Sequence, residues 1–200
     1  MDPITVVSAG GVCLFTQTLE YLSLSTGEPE LRPMLATSWE PNEDATRWTF
    51  QLREGVTFSD GSPLTARDVA ATFDRITDPE SASSALNTIS GILSPGAAQV
   101  TDNHTVVFEL ERPMGSFSWL VSSDLFGAAI LPEGYEGDFE STWIGTGPWV
   151  IDEFAREEFA RFVPNEDYWG EQPLPESVEF TLFEDDSAML LALQSRQIEV

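Results

Sequence analysis

The stretch that decides the fold is residues 35–69, which read Leu35-Ala-Thr-Ser-Trp-Glu-Pro-Asn-Glu-Asp-Ala-Thr-Arg-Trp-Thr-Phe-Gln-Leu-Arg-Glu-Gly-Val-Thr-Phe-Ser-Asp-Gly-Ser-Pro-Leu-Thr-Ala-Arg-Asp-Val69. In its middle, Trp48, Phe50 and Leu52 alternate with polar residues, which is the period of two of a half-buried strand. A polar turn at residues 41–44 separates this strand from a shorter segment at residues 38–40. The pattern predicts a β-hairpin.

The second half of the same stretch predicts a tight turn followed by a helix. Asp60-Gly61 is typical of a turn, because glycine readily adopts a positive φ. Thr65 is a good N-cap, and Asp68 three residues later forms a variant of the capping box. Asp78-Pro79 ends the helix. The apolar face of this predicted helix consists of Ala66, Val69, Ala70, Phe73 and Ile76.

Short strands and helices are mixed along the rest of the chain. Strands are predicted at residues 4–7, 128–131, 149–151, 159–163 and 178–183, a second hairpin from residue 100 to 110, and helices at 14–24, 81–93, 117–121 and 187–194. No repeat period is present, so a solenoid and a bundle are both excluded. The fold class that follows is α/β in the mixed sense, α+β.

The charge of the chain is extreme. The formal net charge is −25, and the nine basic residues are all arginine. Such a surface repels phosphate backbones and anionic membranes, so no nucleic-acid partner is expected. The charge indicates a heavily solvated surface, and it leaves open a cleft selective for cationic ligands.

Few residues can support catalysis or metal binding. The chain has one histidine, His104 in a predicted hairpin turn, and one cysteine, Cys13, so neither a nucleophile–histidine pair nor a zinc site is expected. Without lysine there is no phosphate-binding P-loop. The acidic runs at residues 157–158 and 184–186 leave calcium binding or acid/base chemistry open, although a solvated acidic face is the simpler interpretation. We therefore expect no catalytic residue, no metal and no cofactor.

Three motifs in a fixed order carry a resemblance to a known family. They are the stretch at 35–69, Gly145-Thr146-Gly147-Pro148-Trp149, and Asn165-Glu166-Asp167-Tyr168-Trp169-Gly170. From about residue 20 onward, the chain resembles the peptide-binding (family 5) solute-binding proteins of bacterial ABC importers. Residues 196–199 resemble the strand that follows in that family, with Arg196 in place of the usual glycine and Glu199 in place of the usual aspartate.

The resemblance implies the N-terminal part of a two-lobed periplasmic-binding-protein fold of type II, with an extra subdomain. Residues 1–38 would begin the main lobe, residues 39–143 would form the inserted subdomain, and residues 144–200 would return to the main lobe. The second lobe of the family follows the last of these residues. We therefore expect half of a ligand cleft, and marginal stability or aggregation for these 200 residues alone.

The resemblance also implies a function. The protein would capture a peptide, or a related solute such as a nickel chelate or an oligosaccharide, and pass it to the permease and ATPase subunits of an ABC importer without turnover. It would act outside the cytoplasm, as a monomer. The start Met1-Asp2-Pro3 predicts neither a signal peptide nor a membrane span, so an export segment is expected to lie outside these residues.

By position in the family, three segments are expected to meet the ligand. They are the loop of Ser8, Ala9, Gly10 and Gly11, the loop of Ser122, Ser123 and Asp124, and Thr146 beside the hinge turn. Glycines in the first loop allow the close approach of a backbone that holds an extended peptide by main-chain hydrogen bonds. Trp119 and Trp143 remain candidates for stacking on a ligand.

Three other functions stay open at this point. A stand-alone carbohydrate- or calcium-binding module predicts tryptophan quenching by glycans or metal-dependent stability. A carboxylate-based hydrolase predicts an activity that one Asp or Glu substitution abolishes. A non-functional remnant of a transporter gene predicts neither.

Overall fold

A computed structural model describes residues 2–27, 29–183 and 185–198. Strands and helices alternate irregularly along the chain, as the sequence predicts for a mixed fold. In chain order the elements are α1 (Ala9–Thr18), β1 (Ser23–Ser25), β2 (Leu31–Pro33), β3 (Ala36–Pro41), β4 (Arg47–Leu52), α2 (Ala66–Thr77), α3 (Leu86–Ile89), β5 (Ala98–Asp102), β6 (Thr105–Glu109), α4 (Phe117–Leu120), α5 (Phe139–Thr142), β7 (Trp149–Ala155), β8 (Phe159–Pro164), β9 (Val178–Thr181) and α6 (Asp186–Gln194).

Both predicted hairpins are confirmed, and together they form one antiparallel sheet in the order β3-β4-β6-β5. Trp39 lies opposite Phe50 in the first hairpin, and Val100 lies opposite Val106 in the second. The alternating apolar residues of β4 are buried, as a half-buried strand requires. Helix α2 packs on this sheet, where the rings of Phe73 and Phe108 meet edge to face with centroids 4.9 Å apart.

The start and the end of α2 follow the prediction. The side chain of Thr65 caps the first turn, and the Asp68 carboxylate accepts a hydrogen bond from the Thr65 backbone N–H at 2.7 Å. This reciprocal pair satisfies N–H groups that have no partner within the helix. The helix ends at Thr77, directly before Asp78-Pro79. The preceding turn is also confirmed, since Gly61 has a φ of +84°.

A second antiparallel sheet has the order β7-β8-β9 and lies against α1. The predicted pair of strands and the third strand are thus confirmed. Trp143 is only 4% exposed and packs against four aromatic rings, those of Phe15, Phe139, Phe154 and Phe162. Its expected role as a stacking platform for a ligand is therefore wrong, because the ring belongs to the core.

Two predicted strands are wrong. Residues 4–5 lie in a turn and residues 6–7 have no regular structure; the Asp2 carboxylate accepts a hydrogen bond from the Ile4 N–H at 2.9 Å. Residues 128–131 follow a 3₁₀ turn at Phe126–Ala128 and pair with no strand. There the Leu131 N–H donates to the Thr72 hydroxyl oxygen at 3.0 Å. Residues 128–131 are buried and apolar, but the side chain of Thr72 in α2 satisfies part of their backbone in place of a sheet. Residues 4–7 are only partly buried, since Val7 is 85% exposed.

Two predicted helices are shorter than expected. Residues 81–93 contain only α3, which is preceded by a 3₁₀ turn at Pro79–Ser81. The helix predicted at 14–24 ends at Thr18, and residues 23–25 form β1, which pairs with β2. The helix expected at 187–194 is confirmed as α6. The turn predicted to begin at Phe117 is confirmed as α4.

The Gly145-Thr146-Gly147 turn brings the second sheet against the C-terminal end of α1. The Gly147 N–H donates to the Thr18 carbonyl oxygen at 2.8 Å, and Asn165 Nδ2 donates to the Gly147 carbonyl oxygen at 3.0 Å. A Cβ atom built on Gly145 would lie 1.9 Å from the Thr18 oxygen. Glycine is therefore required here for a close approach of two backbones.

We predict that Gly145→Ala destabilises the protein by about 2–3 kcal/mol, because the backbone of α1 must move to accept the methyl group. Gly10→Ala is the matched control: no atom lies within 4 Å of its Cβ, and it should stabilise α1 by about 0.5–1 kcal/mol. Urea unfolding followed by tryptophan fluorescence measures both. Equal midpoints for Gly145→Ala and the wild-type chain would show that the turn yields without cost.

Candidate functional site

The first predicted ligand segment is not a loop. Ser8 is the N-cap of α1, and its hydroxyl oxygen accepts a hydrogen bond from the Gly11 N–H at 3.2 Å. Ala9, Gly10 and Gly11 form the first turn of the helix. The two glycines favour a loop by propensity, but burial of the helix face at Leu14 and Phe15 prevails. Contact of these residues with a ligand stays a prediction.

The second predicted segment is a loop that fastens β1 to the rest of the molecule. Ser122 is buried, and its hydroxyl donates to the Trp119 carbonyl oxygen at 2.8 Å. The Ser123 hydroxyl oxygen accepts from the Ser25 N–H at 2.9 Å. Asp124 is exposed, and its N–H donates to the Ser122 hydroxyl oxygen at 3.2 Å. The loop therefore fixes the backbone of Asp124 and leaves its carboxylate toward solvent.

A cavity of about 370 Å³ joins this loop to the end of α1, and we call it the Asp124 cavity. Its wall includes Thr16, Tyr21, Leu24, Met34, Asp124 and Phe126. The Tyr21 hydroxyl donates to the Phe126 carbonyl oxygen at 3.1 Å, which fixes two sides of the cavity relative to each other. Burial raises the pKa of the Tyr21 phenol to about 12, so this donor keeps its proton at neutral pH.

A second cavity of about 230 Å³ also borders this loop. Trp119, Leu120 and Leu125 line it together with Asp124. Trp119 is half-buried here, so it remains a candidate for contact with a ligand, in contrast to Trp143. Asp124 thus borders both cavities.

A buried carboxylate, which the sequence did not reveal, lies just after the end of α1. Glu20 is only 1% exposed. One of its oxygens accepts from the Tyr168 hydroxyl at 3.0 Å, and the other accepts from Trp169 Nε1 at 2.8 Å. The guanidinium of Arg53 stacks on the Trp169 ring, 4.0 Å from its centroid. We call these four residues the Glu20 cluster.

Thr146 is fully buried beside this cluster, and so it does not present its side chain to a cleft. Its hydroxyl makes no hydrogen bond of ordinary geometry with the described residues, yet it is close enough to favour the charged form of Glu20. Burial is the larger influence and raises the pKa of Glu20. Hydrogen bonds from Trp169, Thr146 and Tyr168 and the charge of Arg53 act against it.

One signal in the sequence would have identified Glu20. It is a single carboxylate between Leu19 and Tyr21 in an apolar run, and a charged residue in such a run needs partners if the run is buried. The partners lie more than 140 residues away along the chain, at Tyr168 and Trp169, so periodicity could not identify them.

The described residues give no arrangement for metal binding or for a membrane span. Within residues 2–27, 29–183 and 185–198, no three His, Cys, Asp or Glu side chains are grouped to hold a metal ion. In the same part of the chain, no helix is both long and apolar enough to cross a bilayer. Of the acidic run at 184–186, Asp185 caps α6, accepting from the Ala188 N–H at 2.8 Å. Glu184 lies outside the described residues.

The model of the family described as bacterial extracellular solute-binding proteins, family 5 Middle, matches residues 30–200. The chain belongs to this family. The resemblance found in the three motifs is thereby confirmed, and the members that the family description names are binding proteins, not enzymes.

Similar proteins agree in fold and are much longer. The nickel-binding periplasmic protein of Escherichia coli (strain K12) is 28% identical over 190 residues, covering 94% of this chain and 36% of the relative. Protein XP55 of Streptomyces lividans is 32% identical over 176 residues, covering 85% of this chain and 31% of the relative. The structure of the Escherichia coli murein tripeptide binding protein MppA superposes with a TM-score of 0.87 at 26% identity, over 99% of this chain and 42% of MppA. The predicted fold, part of a two-lobed periplasmic-binding protein, is confirmed.

The raised pKa of Glu20 predicts a pH dependence of stability. The folded state holds this proton more tightly than the unfolded state, whose carboxyl has a pKa near 4.5, so Glu20 contributes less to stability as pH rises above that value. Replacing Glu20 by Gln removes the titration. The stability of Glu20→Gln relative to the wild-type chain should therefore increase between pH 4 and pH 7.

Urea unfolding at several pH values measures this difference. Glu43→Gln is the control, because Glu43 is exposed in the β3–β4 turn and its substitution removes one carboxylate without touching the cluster. A stability difference for Glu20→Gln that stays constant, or falls, across this range contradicts the proposed burial cost.

Proposed function

We propose that this chain forms the first lobe of a solute-binding protein that captures a peptide or related small solute outside the cytoplasm. The protein delivers it to the permease and ATPase subunits of an ABC importer as a monomer, without chemical change and without a cofactor. The observation that carries the proposal is the match of 99% of the chain to MppA at a TM-score of 0.87, together with membership in the family.

The names of the relatives support a small solute as the ligand. One similar protein binds nickel and another binds murein tripeptide, so a peptide, or a metal complex of similar size, fits both. The chain spans 36% of the first of these proteins and 42% of the second. The division into a main lobe at 1–38 and 144–200 and an inserted subdomain at 39–143 is part of this proposal. So is a second lobe that completes the cleft.

Within the chain, we place ligand contact at the Asp124 cavity. Ser123 and Asp124 line it beside α1, whereas Ser122 and Thr146 are buried and act by positioning their neighbours. The exposed N-terminal turn at Ser8, Ala9 and Gly10 is retained as a second contact. Two large apolar side chains at the cavity, Leu24 and Phe126, are 37% and 54% exposed, and a bound solute would cover them.

The test is equilibrium binding of di- to pentapeptides to the polypeptide that carries residues 1–200, measured by calorimetry, with mass spectrometry of the recovered peptide. We expect reversible binding and an unchanged peptide. Leu24→Asp should weaken binding about tenfold or more, because it places a charge on the apolar wall of the cavity.

Leu174→Asp is the matched control. It makes the same substitution at a leucine that is 97% exposed and does not line the cavity, so affinity should not change. Cleavage of the peptide would refute capture without turnover. Equal weakening by both variants would place the contact elsewhere.

A further inference from the structure

The second sheet carries more net charge per residue than the first. Residues 149–181, which contain β7, β8 and β9, include nine acidic and two basic side chains, a net charge of −7. Residues 36–109, which contain the first sheet and α2, include eleven acidic and four basic side chains, again a net charge of −7. The same net charge therefore lies on fewer than half as many residues.

The carboxylates of the second sheet are exposed and mostly unpaired. Each of the nine acidic residues at 149–181 is exposed. Arg161 makes ion pairs with three of them, at 3.7 Å to Asp152, 3.2 Å to Glu153 and 3.1 Å to Glu179. The other six make no ion pair with the described residues, and two of them, Glu157 and Glu158, are adjacent in the β7–β8 turn. Since exposed ion pairs contribute little, most of the repulsion between these charges is uncompensated.

Burial holds the second sheet less firmly than the first. In residues 149–181, all of which the structure describes, the buried apolar residues are Ala160 and Phe162. In the first sheet and α2, Phe50, Phe73 and Phe108 are each at most 2% exposed, and the Phe108 ring meets the other two edge to face. A region with few buried apolar contacts opens at a lower free energy than a region with many.

The second sheet is tied to the candidate site through the Glu20 cluster. Tyr168 and Trp169 lie in the connection between β8 and β9, and they donate to the buried Glu20 carboxylate. Tyr21, the next residue, lines the Asp124 cavity. Opening of the second sheet would therefore remove donors from Glu20 and loosen the backbone beside the cavity.

We propose that ionic strength controls whether the second sheet is closed. At low salt the carboxylates at 149–181 repel one another and the sheet opens, while the first sheet and α2 stay folded. At molar salt the sheet closes. The Debye length is about 10 Å at 0.1 M and about 3 Å at 1 M, whereas the outer strands of a three-stranded sheet lie roughly 10 Å apart. Charges on β7 and β9 therefore interact at the lower concentration and are screened at the higher one.

The test is hydrogen–deuterium exchange with mass spectrometry on the polypeptide that carries residues 1–200, in about 0.1 M and about 2 M KCl. We expect peptides from 149–181 to exchange about tenfold more slowly at the higher concentration, and peptides from 36–109 to change by less than about twofold. Sucrose is the control for a general effect of the solvent, because it favours burial without screening charge and should protect both regions alike.

Two variants with the same change in net charge separate the second sheet from the rest of the chain. Each replaces four exposed glutamates whose carboxylates make no ion pair with the described residues. The first should protect residues 149–181 already at low salt and reduce their response to KCl; it combines Glu157→Gln, Glu158→Gln, Glu171→Gln and Glu176→Gln. The control should leave that response unchanged; it combines Glu40→Gln, Glu43→Gln, Glu54→Gln and Glu80→Gln.

Three results would overturn the proposal. They are an exchange rate of residues 149–181 that does not depend on KCl, an equal response of both regions to KCl, and an undiminished response in the first variant. Complete unfolding at low salt would give the equal response, since both regions would then exchange freely. No ligand is present in this experiment, so its outcome and the outcome of the peptide-binding test are independent of each other.

Discussion

The buried carboxylate of Glu20 is the constraint on which the arrangement of the chain depends. An isolated charge at 1% exposure would cost several kcal/mol, so the residues around it must be donors and must stay in place. Tyr168 and Trp169 supply those donors from the connection between β8 and β9, and Arg53 supplies the positive charge from the end of β4. Segments that are far apart in the sequence therefore meet at one point beside α1.

The neighbouring glycine turn has the same effect on the backbone. Gly145 and Gly147 approach the Thr18 carbonyl so closely that no side chain fits, and Asn165 closes the turn from the side of Tyr168. A charge that requires donors and a backbone contact that requires glycine thus act on the same junction. The two constraints lie two residues apart in the chain, at the Thr18 carbonyl and the Glu20 carboxylate.

Local patterns were sufficient to predict much of the fold, and contacts between distant residues account for most of what they missed. The hairpin at Trp39 and Phe50 and the cap at Thr65 follow from periodicity and from a side chain bonding its own helix, which are short-range effects. Residues 128–131 looked like a strand because they are apolar, but Thr72 satisfies their backbone from another element. Gly10 and Gly11 indicated a loop, whereas packing of Leu14 and Phe15 drew them into α1. Of the expected site, Ser123 and Asp124 line the Asp124 cavity. Thr146 is fully buried beside Glu20, a residue that is distant from it in the sequence.

Two adjacent residues connect the scaffold with the candidate site: Glu20 belongs to the Glu20 cluster, and Tyr21 lines the Asp124 cavity. Leu19 ends α1 with an extended ψ of 148°. The next two residues, Glu20 and Tyr21, contact different parts of the molecule. Glu20 meets donors from Tyr168 and Trp169, whereas Tyr21 donates to Phe126 and forms the wall of the Asp124 cavity. On the first side the buried carboxylate is satisfied, which fixes the chain. On the second side the Phe126 ring is 54% exposed and the Asp124 carboxylate is exposed, so both are available to a ligand. Because Glu20 and Tyr21 are adjacent in the chain, the hydrogen bonds that hold Glu20 also restrict the backbone that places Tyr21 at the cavity.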